Sequence, residues 1–179
     1  MNNYVLDTCA AIELVDNPNF LSMLSCRLDL KNSTIILCSQ MIFEFHKNGF
    51  DLDILVKILE SVQTKVDFKR CTYKIHQKAI YLESLCNLLH SGDSDILAIA
   101  YDQKFDLISC DKGLVNAAKQ FNIKNVNPHM MISNIDTKRS RTSYFATVKK
   151  VIQEKKKQVV NTPSTLLKPG QKIIWSLTT

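Results

Sequence analysis

Long apolar runs are missing from this chain. A bilayer-spanning helix needs about 20 consecutive apolar residues, and no stretch of the 179 residues approaches that. No membrane partner held in this way is expected. The N-terminus is equally unlike a secretory leader, with no basic region and an acid at position 7, so the expected location is cytoplasmic. Paired metal-binding cysteines are missing too. Of Cys9, Cys26, Cys38, Cys71, Cys86 and Cys110, the nearest in sequence are Cys26 and Cys38, which excludes zinc sites of the usual CxxC spacing. In a chain of this size with cytosolic character, all six are expected to be reduced and mostly in the core. There is no glycine-rich phosphate loop and no GxSxG elbow. His46, His76, His90 and His129 are scattered and read as surface or helix-end residues. Internal repeats are absent, and the only low-complexity tract is the lysine run at 155–157.

What is present suits one soluble domain with an appendage: 45% hydrophobic and 22% charged residues. The net charge of +6 is unevenly spread. Residues 137–179 hold ten Lys/Arg and one acid, a charge of +9, while residues 1–136 carry −3. The expected division is a domain over 1–136 and a basic extension over 137–179, with a helix over 144–160 and a strand over 172–175. Lys138, Arg139, Arg141, Lys149 and Lys150 are candidate phosphate contacts; on charge alone, a solvated helix face explains them equally well. Trp175 reads as a packing residue of the tail.

Strand-like and helical segments alternate along the body. Strands are expected over 4–6, 33–38, 65–69, 105–109 and 123–126. Helices are expected over 10–15, 20–30, 40–47 with Ser39 as N-cap, 52–63, 73–89, 94–103 and 114–121. The run Ile35, Ile36, Leu37 and Cys38 is continuously apolar, as in a strand covered on both faces. The alternation predicts an α/β fold of three layers, α/β/α, with a central parallel sheet. Ligands of such sheets sit at the carboxyl ends of the strands.

Four acids fall where that end would collect them. Asp7 follows the first strand and Asp111 a later one. Glu44 lies on the helix after the second strand, and Asp93 opens the helix that precedes the strand leading to Asp111. Each alone has an ordinary explanation: Asp7 and Asp111 as helix caps, Asp93 and Asp95 as acids suited to a helix N-terminus, Glu44 as an exposed helical residue. Together they repel one another, unless a cation compensates them or some stay protonated. Oxygen-only ligands select hard cations, Mg²⁺ or Mn²⁺.

The motifs that carry these acids resemble the PIN-domain family, particularly its VapC-like members, the ribonuclease toxins of bacterial toxin–antitoxin pairs. The resemblance covers about residues 3–135. Tyr4-Val5-Leu6-Asp7-Thr8 is similar to the family's strand ending in Asp followed by Ser or Thr. The helix bearing Glu44 begins after Ser39, as the one with the family's second acid does. Gly92-Asp93-Ser94-Asp95-Ile96-Leu97-Ala98 resembles its acid-led helix, and Phe105 to Asp111 the strand delivering the fourth acid. The Asp93–Asp111 interval suits the family better than one counted from Asp95, which is left a supporting role.

The resemblance implies a metal-dependent endoribonuclease that leaves 5′-phosphate and 3′-hydroxyl ends. In it Asp7, Asp93 and Asp111 hold Mg²⁺ or Mn²⁺, directly or through water, and Glu44 binds metal or orients the attacking water. Thr8 and Ser109 hydrogen-bond these carboxylates. It also implies an antitoxin protein as inhibitor and a homodimer. The tail after 136 is longer than compact toxins of the family carry, a departure that bears on the toxin role rather than on the chemistry.

Three rivals are weaker. An aspartate-nucleophile phosphatase calls for Asp-x-Asp after the first strand, where this chain has Asp7-Thr8-Cys9. A receiver domain fits Asp111-Lys112 but lacks the paired acids expected near its N-terminus. A non-catalytic RNA- or protein-binding module on a PIN-like scaffold is the alternative from another class; retention of all four acids argues against it.

Overall fold

The computed structural model describes residues 2–129. The expected tail elements, the boundary at 136, and Lys138, Arg139, Arg141, Lys149 and Lys150 lie outside the described residues.

The chain alternates strand and helix as its pattern predicts. β1 (Asn2–Leu6) leads to α1 (Thr8–Asp16) and α2 (Phe20–Ser25), and a 3-10 turn (Leu30–Asn32) leads to β2 (Ser33–Cys38). Next come α3 (Ser39–Lys47), α4 (Leu52–Ser61), β3 (Lys65–Lys69) and α5 (Tyr73–Leu85). The described part closes with α6 (Ser91–Gln103), β4 (Asp106–Ile108), α7 (Lys112–Gln120) and β5 (Asn125–Val126). The five strands form one sheet in the order β3-β2-β1-β4-β5, with every pairing parallel. With its helical layers this is a PIN-like α/β/α fold.

Burial of both sheet faces explains the composition of the central strands. All six residues of β2 are buried, and Val5, Leu6, Ile35, Leu37, Leu107 and Ile108 are fully enclosed. Each such Val, Leu or Ile contributes about 1.5–3 kcal/mol relative to an exposed side chain. α6 is buried from Ser94 through Ala100. A helix enclosed nearly all round carries apolar residues all round, and here Ala98 and Ala100 admit its neighbours closely.

Several element ends differ from expectation. The helix expected over 20–30 stops at Ser25, because Leu28 and Leu30 are both buried. Residues two apart on a helix point to nearly opposite sides, so the chain leaves the helix to bury both. Ser25 Oγ assists by donating to the Leu21 carbonyl at 2.8 Å. The helix expected over 73–89 ends at Leu85, where Cys86 turns extended and its N–H bonds the Glu83 carbonyl. The N-cap of α3 is Cys38 rather than Ser39; Cys38 Sγ accepts from Met41 N at 3.4 Å. The Ser39 hydroxyl instead accepts from Cys71 N at 3.0 Å and ties the start of α3 to the segment after β3. All six cysteines are free; Cys38 and Cys86 lie in the core, Cys71 and Cys110 pack against it partly buried, and Cys26 is exposed.

Candidate active site

The sheet order places β1 beside β4. Beyond β1 the chain goes on to β2 and β3 on one side; it returns to β4 and β5 on the other. This is the topological switch point, where the loops leaving two neighbouring strands diverge and open a crevice. Asp7 leaves β1 there. Its N–H still donates to the Ile108 carbonyl at 3.0 Å, so the ladder extends into the candidate residue itself. Asp111 follows β4 from the same end.

Asp7 is 3% exposed. Its Oδ1 accepts from Thr8 N at 2.6 Å, and its Oδ2 accepts from Ser109 Oγ and Cys9 Sγ, each at 2.7 Å. Burial is the main reason its carboxyl is held well above the usual carboxylate range; the neighbouring Cys9 adds to the rise, and the Ser109 and Thr8 bonds oppose it. The Cys9 thiol is itself raised, by its hydrogen bond with the Cys110 side chain and then by burial. Ser109, fully enclosed, both donates to Asp7 and accepts from Asp111 N at 3.0 Å. Thr8 Oγ1 donates to Glu44 Oε2 at 2.7 Å, and Gln40 Nε2 donates to Glu44 Oε1 at 2.8 Å. Asp111 caps α7, its Oδ1 accepting from Leu114 N at 2.7 Å.

α6 starts three residues earlier than expected, at Ser91, which places Gly92 and Asp93 inside its first turn. A Cβ at Gly92 would lie 2.2 Å from Glu44 Oε1, so the Glu44 carboxylate takes the position it does beside α6 because this residue has no side chain. Asp93 is pushed up to about 6, first by burial and then by the charges of Asp7, Asp111 and Glu44; His90, at the N-cap position, acts the other way. All four candidate acids therefore share one electrostatic neighbourhood. The ordinary roles are realised as well, since Asp7 and Asp111 cap helices and Asp93 sits in a first turn. Asp95 is not with them. It lies two residues on, faces α5, and pairs with His76 Nδ1 at 3.1 Å.

The donors around this crevice are carboxylate oxygens, which suit a hard divalent cation such as Mg²⁺ or Mn²⁺. Among the described residues, no three ligand-type side chains stand close enough to grip one ion together. Asp7, Glu44 and Asp111 instead turn oxygens towards protein donors. A cation that keeps several waters needs only one or two direct carboxylate ligands.

Cys9, Gln40 and Gly92 were missed by sequence reasoning. Gln40 carried a signal, since it lies four residues before Glu44 on one helical face. Cys9 and Gly92 act through tertiary approach and carried none.

No family model and no curated protein matches the chain. Solved structures do. VapBC-1 from nontypeable Haemophilus influenzae matches with a TM-score of 0.52 at 16% identity, covering 71% of this chain and 98% of that one. VapBC2 from Rickettsia felis, solved bound to a DNA fragment from its promoter, matches with a TM-score of 0.51 at 15% identity, over 70% and 98%. FitAcB from Neisseria gonorrhoeae matches with a TM-score of 0.50 at 16% identity, over 70% and 98%. The chain has a PIN-domain, VapC-like fold. In this PIN-like domain Asp7 and Asp111 follow the carboxyl ends of β1 and β4, Asp93 lies in the first turn of α6, and Glu44 lies midway along α3. Among the described residues, no helix is long and apolar enough to cross a membrane.

Proposed function

We propose that this protein is a metal-dependent endoribonuclease acting in the cytoplasm as the toxin of a toxin–antitoxin pair. The observation that carries the reading is the shared field of Asp7, Glu44, Asp93 and Asp111 at the switch point of a VapC-like fold. Mg²⁺ or Mn²⁺ would compensate the repulsion of these carboxylates and supply Lewis acidity at a phosphodiester.

The chain's own residues prepare that chemistry in distinct ways. Asp7 is fixed by three donors and buried, a ligand whose direction does not depend on the metal. Thr8 and Gln40 each donate to one oxygen of Glu44, which fixes the orientation of the carboxylate to position a nucleophilic water or to take a place beside the cation. Asp93 is raised to about 6, first by burial and then by the charges of Asp7, Asp111 and Glu44, a repulsion that a bound cation would relieve. Asp111 stands at the rim, fixed as a helix cap. Asp7, Asp93 and Asp111 are the proposed metal holders; hydrolysis would leave 5′-phosphate and 3′-hydroxyl ends. Ser109 supports Asp7. Lys138, Arg139, Arg141, Lys149 and Lys150 supply phosphate contacts from a separate basic extension. The VapBC and FitAcB likenesses support an antitoxin protein as inhibitor, and a homodimer is part of the same reading.

The test is incubation of purified protein with structured and single-stranded RNA, in Mn²⁺ or in EDTA, beside Asp7→Asn. Cleavage that requires metal and falls to background in the variant is expected. Salt-sensitive RNA binding that persists in EDTA, with no cleavage in either protein, would replace the nuclease with a binding module.

A further inference from the structure

A carboxylate offers about four lone-pair positions, and Asp7 uses three of them within the protein. Oδ2 receives both the Ser109 hydroxyl and the Cys9 thiol at 2.7 Å, and Oδ1 receives Thr8 N–H at 2.6 Å. One position on Oδ1 is left. Cys9 is in turn held from the other strand-end loop, where Cys110 N donates to its sulfur at 3.2 Å and Ser109 Oγ lies 3.7 Å away. The thiol therefore joins the loop after β1 to the loop after β4, with Asp7 between them.

We propose that Cys9 is a positioning residue for Asp7: its S–H and the Ser109 O–H together saturate Oδ2 and commit Asp7 to one-oxygen ligation of a divalent cation through Oδ1. The inference rests on the nuclease reading for the identity of the ligand. What it adds is the coordination mode of Asp7 and the residue that enforces it. Without the thiol, Oδ2 regains a free lone pair and can itself meet the cation, so the Ser109 and Thr8 bonds alone no longer commit Asp7 to Oδ1.

The experiment compares full-length Cys9→Ala and Cys9→Ser with the parent by calorimetric titration with Mn²⁺ at pH 7, with thermal melts to establish folding. Serine keeps a donor at this position and alanine removes it. Loss of about 10- to 100-fold in Mn²⁺ affinity is expected for alanine, the range for removing a ligand's supporting partner, with most of the affinity retained by serine. Equal weakening by both, or parent-like binding by alanine, overturns the role. A second arm needs no metal. The S–H stretching band of Cys9, isolated as the parent-minus-Cys9→Ser infrared difference, is expected at lower frequency than the same band in an Asp7→Ala background. A band unmoved by loss of Asp7 overturns the clamp itself. A parent that binds no Mn²⁺, with the band shifted as expected, overturns the nuclease reading and the ligation mode but leaves the thiol–carboxylate bond established.

Discussion

Acids on the flank of the molecule and acids at its strand ends are treated differently. Along α5 and α6, Asp95 pairs with His76 and Asp102 with Lys78. The Lys78 bond holds Asp102 below the usual carboxylate range. At the strand ends, none of Asp7, Glu44, Asp93 and Asp111 has a cationic partner within ion-pair distance among the described residues. Asp7, Glu44 and Asp111 are met by hydroxyls, a thiol, an amide and backbone N–H groups, and Asp7 and Asp93 are raised instead. The fold gives Asp102 a lysine and Asp95 a histidine hydrogen bond, and gives the strand-end acids no cation among the described residues. On the proposed function, that contrast marks off the carboxylates that would meet a metal.

The largest effect should come from removing a strand-end charge. Asp93→Asn is expected to bring RNA cleavage to background while the metal-free protein melts at a temperature equal to or higher than that of the parent, because the repulsion falls. Active-site groups held against stability behave in this way. Loss of activity together with a large drop in melting temperature would make Asp93 structural.

Gly92→Ala should act more weakly and split the two properties again. Glu44 Oε1 must move aside from the new methyl group, breaking its bond from Gln40, so cleavage should fall by about tenfold, the low end for disturbing a supporting partner. Stability should stay within about 1 kcal/mol of the parent, since alanine is the better helix former and only the end of a flexible side chain gives way. A cleavage assay beside a thermal melt reads both.

The smallest effect belongs to the flank. Asp102→Asn should cost about 1 kcal/mol or less, the range of solvent-screened ion pairs. It should leave Mn²⁺ binding and RNA cleavage unchanged. Its sign with pH is opposite to that of the site. A depressed folded-state pKa gives stability present above the unfolded value and lost as pH falls, so the parent's advantage over the variant should shrink in acid.

The strand over 33–38 was legible because its short β-branched and aliphatic run is covered on both faces, and it matches β2. The strand over 65–69 matches β3, although none of its residues is buried. Helix ends were less legible, because Leu28, Leu30, Cys86 and Leu89 are placed by what they bury rather than by local preference. Asp7 and Asp111 could be read as strand-end acids from their positions alone. The approach of α6 to Glu44 could not, since it follows from tertiary packing beside Gly92 and from an earlier start to α6. The division between Asp93 and Asp95 was drawn from the family interval alone; in the fold the helix turns Asp95 onto His76. The contribution of the basic segment over 137–179 belongs to the proposal.

The measurement that bears most directly on the uncompensated cluster is thermal stability against pH, in EDTA and in Mn²⁺, for the parent and Asp93→Asn. Asp93 has a folded-state value of about 6 against an ordinary 3.8, so the native state binds more protons than the unfolded chain between those values. Metal-free stability should therefore fall as pH rises through that window and stay low above it. At pH 7, Mn²⁺ should restore it, by about 2.7 kcal/mol when present at about one hundred times its Kd. Asp93→Asn should flatten the pH slope and lose most of the Mn²⁺ effect. A parent whose metal-free stability rises across that window, or which Mn²⁺ leaves unchanged at pH 7, would contradict the account.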